Sequence, residues 1–383
     1  MSAPRSGAPL AERWLGWRNR LFASPRFQRW AATFPLTRGR AQREARALFD
    51  LCAGFVYSQA LSACVRLDVF ERLRGGARDV TSLAAELGLT PEAARRLLRA
   101  AASLRLLEPL PDDRFALGVL GAAMLGNPSI GDFVRHHALL YDDLRDPVAL
   151  LRGETASALS RFWPYAANRP GAGAAASDDA ASAAAFALYS DLMSRSQALI
   201  AEDLLDAYPA RSHRCWLDVG GGEGAFIAAA AIRAERLRFQ LFDLPPVAAR
   251  ARVNLAGKGL EARVLVFEGD FLNDSLPQGA DIVSLVRILH DHDDESARAL
   301  LARTFAALAP GGTLLIAEPM AETPGGEPIG DAYFAFYLLA MGRGRARPPR
   351  EIFSLLESAG FVDCRLLKTR RPMLASAAAA RRP

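Results

Sequence analysis

The chain has only four cysteines in 383 residues, Cys52, Cys64, Cys215 and Cys364, and no two of them form a CxxC pair. That scatter argues against both a disulfide framework and a cysteine-ligated zinc site, and it suits a reduced, cytoplasmic protein. No run of 18 or more apolar residues is free of charge, so no membrane-spanning helix is expected. The opening MSAPRSGAPLAERW lacks the apolar core of a signal peptide. With 51% apolar and 23% charged residues, the composition is that of an ordinary globular protein. The length exceeds what one core usually holds, so two domains are expected.

Charge is modest overall, at +5, but unevenly placed. Residues 1–46 carry ten arginines against Glu12 and Glu44, together with Trp14, Trp17 and Trp30. Arginine beside tryptophan suits an anionic membrane surface, with rings at the interface and guanidinium groups at the lipid heads. An arm that packs on a partner subunit has the same composition, and no clean amphipathic period runs through the segment.

Residues 47–205 read as mainly helical, beginning with a long apolar helix over Ala47–Leu73. In 79–117, Thr81 is placed to cap a short helix that Gly88 ends, and Thr90-Pro91 opens a second. Two short strands around Pro111-Asp112-Asp113 complete a winged helix-turn-helix pattern. The second helix carries Arg95, Arg96 and Arg99, but the wing, DDRF, is not basic. A subunit-packing scaffold is therefore preferred to a DNA reader, and no nucleic-acid partner is expected. Residues 170–185 are low in complexity and receive no function.

From 206 to 383 strand-like runs (CWLDV, FQLFDL, VLVFEGD, DIVSLVRIL, TLLIAEP) alternate with helical stretches. This predicts an α/β, doubly wound domain on a parallel sheet, with ligands outside the carboxyl ends of the strands. Asp218 precedes Gly220, Gly222 and Gly224 in a GxGxG loop between a strand and a helix. Such a loop lets a ligand approach the backbone and the helix N-terminus. Asp243-Leu244 closes the second strand, where a carboxylate can accept both hydroxyls of a ribose. Asp270-Phe271 closes the third, where an acid can accept the adenine amine with a ring beside it. Each acid alone could be a helix cap. Together, in this order, they point to S-adenosylmethionine rather than a nicotinamide dinucleotide.

The fourth strand ends in Arg287-Ile288-Leu289-His290-Asp291-His292-Asp293-Asp294. His290 thus falls at the sheet edge, where a neutral imidazole could take the proton of a hydroxyl being methylated. Glu318, ending the fifth strand, is placed to fix its tautomer. A metal reading of His-Asp-His-Asp-Asp is disfavoured because adjacent residues at a turn rarely converge on one ion, so no metal is expected. Asp293 or Asp294 is a candidate cap for the next helix.

These residues resemble the class II small-molecule O-methyltransferases through LDVGGGEG, FDLP, GDF, the LHD run, APGGTLLIAEP and EIFSLLESAGF. The resemblance implies a Rossmann-like methyltransferase domain after a winged-helix dimerisation domain, hence a homodimer. It implies His290 as base with Glu318 as its bracket, and Arg287 as a cofactor contact where lysine is usual. In this family a second glutamate brackets the base, and here Ala346 stands in its place. A narrower similarity, in HHALLYDDLRDPVALLRGE, RFWPYA and GDAYFAFYLLAMGRGR, is to bacterial hydroxyneurosporene O-methyltransferases, which act on the tertiary hydroxyl of acyclic carotenoids. A polyene needs an apolar tunnel, for which Phe162, Trp163, Tyr189, Met193, Phe334, Phe336, Tyr337 and Met341 are candidates, each with ordinary core as the plain alternative. A phenolic or polyketide acceptor, and a cofactor-sensing winged-helix regulator, are the competing readings.

Overall fold

Short capping signals decide where the first helices begin. In the computed structural model, which describes residues 10–155, 157–162 and 197–383, Ser24 accepts from the Phe27 N–H and Pro25 opens the helix Pro25–Thr33. It follows the helix Leu10–Ala23 and precedes Arg38–Arg66. The apolar helix expected over 47–73 therefore starts earlier and stops at Arg66, and a separate turn of helix spans Val69–Arg72. Among the described residues, Arg38–Arg66 is by length and composition apolar enough to cross a membrane, although no run of 18 residues within it is free of charge. Its exposed Leu48, Phe49, Leu51, Phe55 and Val56 share one face.

The chain divides into two compact units, Met1–Pro128 and Ser129–Pro383. The first contains the winged helix: β1 (Arg78–Asp79), helices Val80–Leu87 and Pro91–Ser103, then β2 (Leu107–Leu110) and β3 (Arg114–Leu117). The antiparallel sheet has the order β1-β3-β2. Thr90 caps the second helix and Gly88 ends the first, as expected. The first helix, however, is capped by Asp79, which accepts from Ser82 N–H at 2.8 Å, and not by Thr81. Arg95 is tied to Asp113 at 2.7 Å and to Glu92 at 3.2 Å, and Arg96 lies 3.6 Å from Glu92. Two of the three helix arginines are thus neutralised internally.

The second unit groups the helix Pro128–Asp143 with the sheet domain, instead of joining it to the winged helix in a 47–205 domain. Its strands are β4 (Cys215–Val219), β5 (Arg238–Asp243), β6 (Val264–Glu268), β7 (Ile282–Val286), β8 (Thr313–Glu318), β9 (Val362–Leu367) and β10 (Ser376–Arg381). The order is β6-β5-β4-β7-β8-β10-β9. The five expected strands are parallel. The sheet as a whole is mixed, because β10 runs antiparallel to both β8 and β9. Trp216, Phe239, Ile282 and Leu315 face one apolar cluster; Leu217, Val283, Leu285 and Leu314 face the other. Burial on both faces explains why these strands read as unbroken apolar runs.

The strand β10 was not foreseen, since alanine favours helix. Here Ala377 and Ala379 join one buried cluster, and Ala378 and Ala380 the other. Pairing on both sides and small side chains against packed helices override the local preference. Replacing Ala379 by leucine should overpack this layer and cost about 1–3 kcal/mol in denaturant unfolding; an unchanged midpoint would show that β10 has room to spare.

Candidate active site

The loop after β4 turns three times through left-handed backbone: Gly220, Gly222 and Gly224 have φ of 69°, 56° and 80°. Side chains are strained there, so glycine is required. The helix Ala225–Arg233 starts immediately after. Gly222 borders open space, and its N–H donates to Asp243 Oδ2 at 2.7 Å. Beneath the loop, Trp216 Nε1 donates to Ser284 Oγ at 2.9 Å and Ser284 Oγ donates to Asp218 at 2.5 Å. Burial pushes the Asp218 carboxyl up to about 7; the Ser284 hydrogen bond opposes this, and Asp243 adds to it.

The sequence-predicted acids stand where they were expected, with local partners as well. Asp243 is buried at the end of β5, and its Oδ1 also accepts from the Leu244 N–H at 2.7 Å. Asp270 ties the turn that follows it, accepting from Leu272 N–H at 2.9 Å and Asn273 Nδ2 at 2.7 Å. Phe271 reaches toward Gly220 and meets the His292 ring edge-on at 5.3 Å. Arg287 leaves β7 with φ of 57°, an uncommon conformation for a long side chain, while its N–H donates to Ala317 O at 2.8 Å.

His290 lies in a single 3-10 turn, Leu289–Asp291, directly after these residues. Its backbone N–H donates to Glu318 Oε2 at 3.0 Å, and Nδ1 lies 3.3 Å from the same oxygen. Glu318 thus meets both the backbone and the ring of His290. Sequence reasoning missed Asp291, whose Oδ1 lies 3.1 Å from Nε2. The only signal was its place next to His290, and a 3-10 turn is what folds it back onto the ring. Burial works against a charge on the ring, while Asp291 and Glu318 favour one, and the two carboxylates raise the imidazole to about 10. Asp293 caps the helix Asp294–Ala307, accepting from Ser296 N–H at 2.8 Å.

Beside this turn, the π-helical stretch Pro328–Phe334 runs into the helix Ala335–Met341. Phe334 meets the His290 ring edge-on at 6.0 Å. Tyr337 and Tyr333, one turn apart, hydrogen-bond to His136 and His137 of the helix Pro128–Asp143, each at 2.9 Å. Burial lowers both histidines to about 4, helped for His137 by its neighbour, and raises both tyrosines. Met341 and Tyr337 belong to an apolar cluster with Leu140 and Leu150, which is the core alternative; Phe336 is half-buried. The Phe162 side chain, Trp163, Tyr189 and Met193 lie outside the described residues.

Residues 141–362 match the O-methyltransferase domain, and residues 49–125 match the O-methyltransferase dimerisation domain. The chain belongs to the O-methyltransferase family. It is 44% identical to demethylspheroidene O-methyltransferase of Cereibacter sphaeroides over 95% of this chain and 94% of that one. It is 38% identical to the enzyme of the same name from Rhodobacter capsulatus, over 98% and 92%. The structure of CalO1, a methyltransferase in calicheamicin biosynthesis in its SAH-bound form, superposes with a TM-score of 0.69 at 27% identity, covering 89% of this chain and 99% of that one.

This methyltransferase uses S-adenosylmethionine, and its residues fit that cofactor. The open face at Gly222, the free helix N-terminus and the carboxylates of Asp243 and Asp270 supply donors and acceptors at one sheet edge. Because His136 and His137 are neutral when folded but titrate near 6.5 when unfolded, the unfolded chain takes up protons first as pH falls. Their stabilisation is complete above about 6.5 and declines toward about 4. Unfolding midpoints measured between pH 7 and 4.5 should fall, and His137→Gln should flatten the slope; an equally steep slope in the variant would remove this pair as the cause.

Proposed function

We propose that the enzyme methylates the tertiary 1-hydroxyl of an acyclic carotenoid, with His290 receiving the hydroxyl proton. The observation that carries the substrate is the 44% identity, spread over 95% of the chain, to an enzyme named for demethylspheroidene. In the cofactor site, Gly220, Gly222, Gly224, Asp243, Leu244, Asp270, Phe271 and Arg287 are the residues we assign to S-adenosylmethionine. When bound, that cofactor supplies an electrophilic methyl group.

The residues of the chain manage alignment and the proton. Glu318 holds Nδ1, which leaves Nε2 as the atom that faces an acceptor. Nε2 faces Asp291 Oδ1 at 3.1 Å, so that contact must be released before Nε2 can accept the proton of a substrate hydroxyl. An alcohol is far less acidic than imidazolium, so no free alkoxide forms beforehand, and the proton reaches Nε2 during or after methyl transfer. Positioning then contributes more to the rate than basicity. The apolar remainder of the substrate is assigned to Phe162, Trp163, Tyr189, Met193, Phe336 and Met341.

The test is transfer of labelled methyl from S-adenosylmethionine to a 1-hydroxy acyclic carotenoid in detergent, with phenols in parallel. A labelled carotenoid methoxy group is expected, and His290→Ala should slow it by about 10²–10⁴-fold while sparing cofactor binding. Label on phenols alone would reject the carotenoid substrate.

We further assign the enzyme to the cytoplasm, as a homodimer whose N-terminal arm rests on an anionic membrane surface. In that arm Trp14, Trp17, Phe22 and Trp30 are about half exposed, and Phe22, Phe27, Trp30 and Phe34 form a continuous ring series. Arginines outnumber acids there, which suits anionic lipid heads. The protein should float with vesicles containing phosphatidylserine and be released by salt. Trp14→Ala/Trp17→Ala should weaken the binding; equal binding to purely zwitterionic vesicles would reject the electrostatic part.

A further inference from the structure

The turn that carries His290 is also gripped by the segment that follows the helix Ala335–Met341. The Arg345 N–H donates to His290 O at 2.8 Å. Arg347 donates Nη1 to Leu289 O at 2.8 Å and Nη2 to His292 O at 2.7 Å. Its Nε and Nη2 also reach Asp294 Oδ1 at 3.0 and 2.8 Å. Gly344, with φ of 77°, lies so close to His290 O that a Cβ there would collide with it. The carbonyl oxygens of residues 289, 290 and 292 are thus all held by one short stretch of chain.

The Arg347 side chain has no exposed surface. A guanidinium taken out of water is costly unless its donors are satisfied in good geometry. Here the satisfying groups are the backbone of the His290 turn and the first residue of the next helix. Moving the turn would therefore strand a buried charge, which makes the turn stiff. That stiffness matters to the ring. Glu318 belongs to β8, which is paired on both edges, whereas His290 and Asp291 lie on the turn. Only the placing of the turn against β8 sets the 3.3 Å between Nδ1 and Glu318. The charged groups facing the ring are Asp291 from the turn and Glu318 from the sheet, while the helical side presents the Phe334 ring. Ala346, between the two arginines, offers no carboxylate of its own.

We infer that Arg347 is a positioning residue for methyl transfer, holding the Leu289–His292 turn so that Nδ1 of the His290 imidazole stays against Glu318. This rests on the reading of His290 as the proton acceptor. Arg347 reaches the chemistry only through backbone that it orients.

The experiment uses the full chain with Arg347→Gln, Arg347→Lys and Gly344→Ala, and His290→Ala as the reference. Folded fraction is taken from circular dichroism, and S-adenosylmethionine affinity from calorimetry. The His290 ring titration is followed by NMR without ligands, and turnover is measured with the hydroxycarotenoid in detergent. Arg347→Gln should lower kcat per folded molecule by about 10²-fold, the loss that a misplacement of about 1 Å can cause. Cofactor affinity should stay within about twofold, since uniform binding is untouched. The His290 titration, held above the ordinary histidine range by Asp291 and Glu318, should move down toward that range as the ring loses its register with Glu318. Lysine at 347 should restore part of both. If the glutamine variant does not fold, the lysine and Gly344→Ala variants carry the same test. Wild-type titration and wild-type kcat per folded molecule, with only a lower melting temperature, would reduce Arg347 to a structural role and overturn the inference. Wild-type turnover in His290→Ala would instead overturn the reading beneath it, whatever the titration in the Arg347 variants shows.

Discussion

Glu318 has no exposed surface, and the chemistry-bearing edge of the sheet is organised around its carboxylate. A buried carboxylate needs donors, because the solvation it gives up is worth several kcal/mol. Oε2 takes the His290 N–H and faces Nδ1, so the backbone and the ring of one residue meet the same oxygen. The carboxylate is rigidly placed, since β8 pairs with β7 on one edge and β10 on the other. A histidine on a short turn thereby acquires the precision of a central strand.

The consequence is a ring whose two nitrogens both face carboxylates, Glu318 at Nδ1 and Asp291 at Nε2. Both favour a second proton on the imidazole, against the burial that opposes it. In the proposed reading of His290 as proton acceptor, a substrate hydroxyl takes the place of Asp291 at Nε2, so substrate binding and readiness for proton transfer are coupled.

The cofactor edge follows a parallel logic. Apolar clusters on both faces fix the strand ends in one row, so loops from β4, β5, β6 and β7 converge without any single long-range motif. Below the glycine loop, the chain Trp216–Ser284–Asp218 satisfies polar groups that would otherwise be stranded in the sheet. Gly221 sits so close to Asp218 and Leu241 that a side chain there would displace one of them.

Much of this was legible residue by residue. The five apolar runs, the cap at Thr90, the stop at Gly88, a cap at Asp293 or Asp294 and the glycine spacing are local signals, and each reports a short-range constraint: a dihedral angle, an unpaired N–H or a buried face. His290 and Glu318 could be paired from sequence because one follows and the other ends a parallel strand, which places them on one edge. The rest depended on groups far apart in the chain. Nothing near Ala377–Ala380 marks a strand; its neighbours β8 and β9 make it one. Asp291 became a partner of Nε2 through the 3-10 turn. His136 and His137 found Tyr337 and Tyr333 about 200 positions away, and Arg347 found the carbonyls of a turn nearly 60 positions earlier. The sequence by itself determined the family, the sheet edge and the residue types available there. Only the tertiary structure decided which nitrogen faces which carboxylate, because that choice is made by burial and distance, and neither is a property of a residue alone.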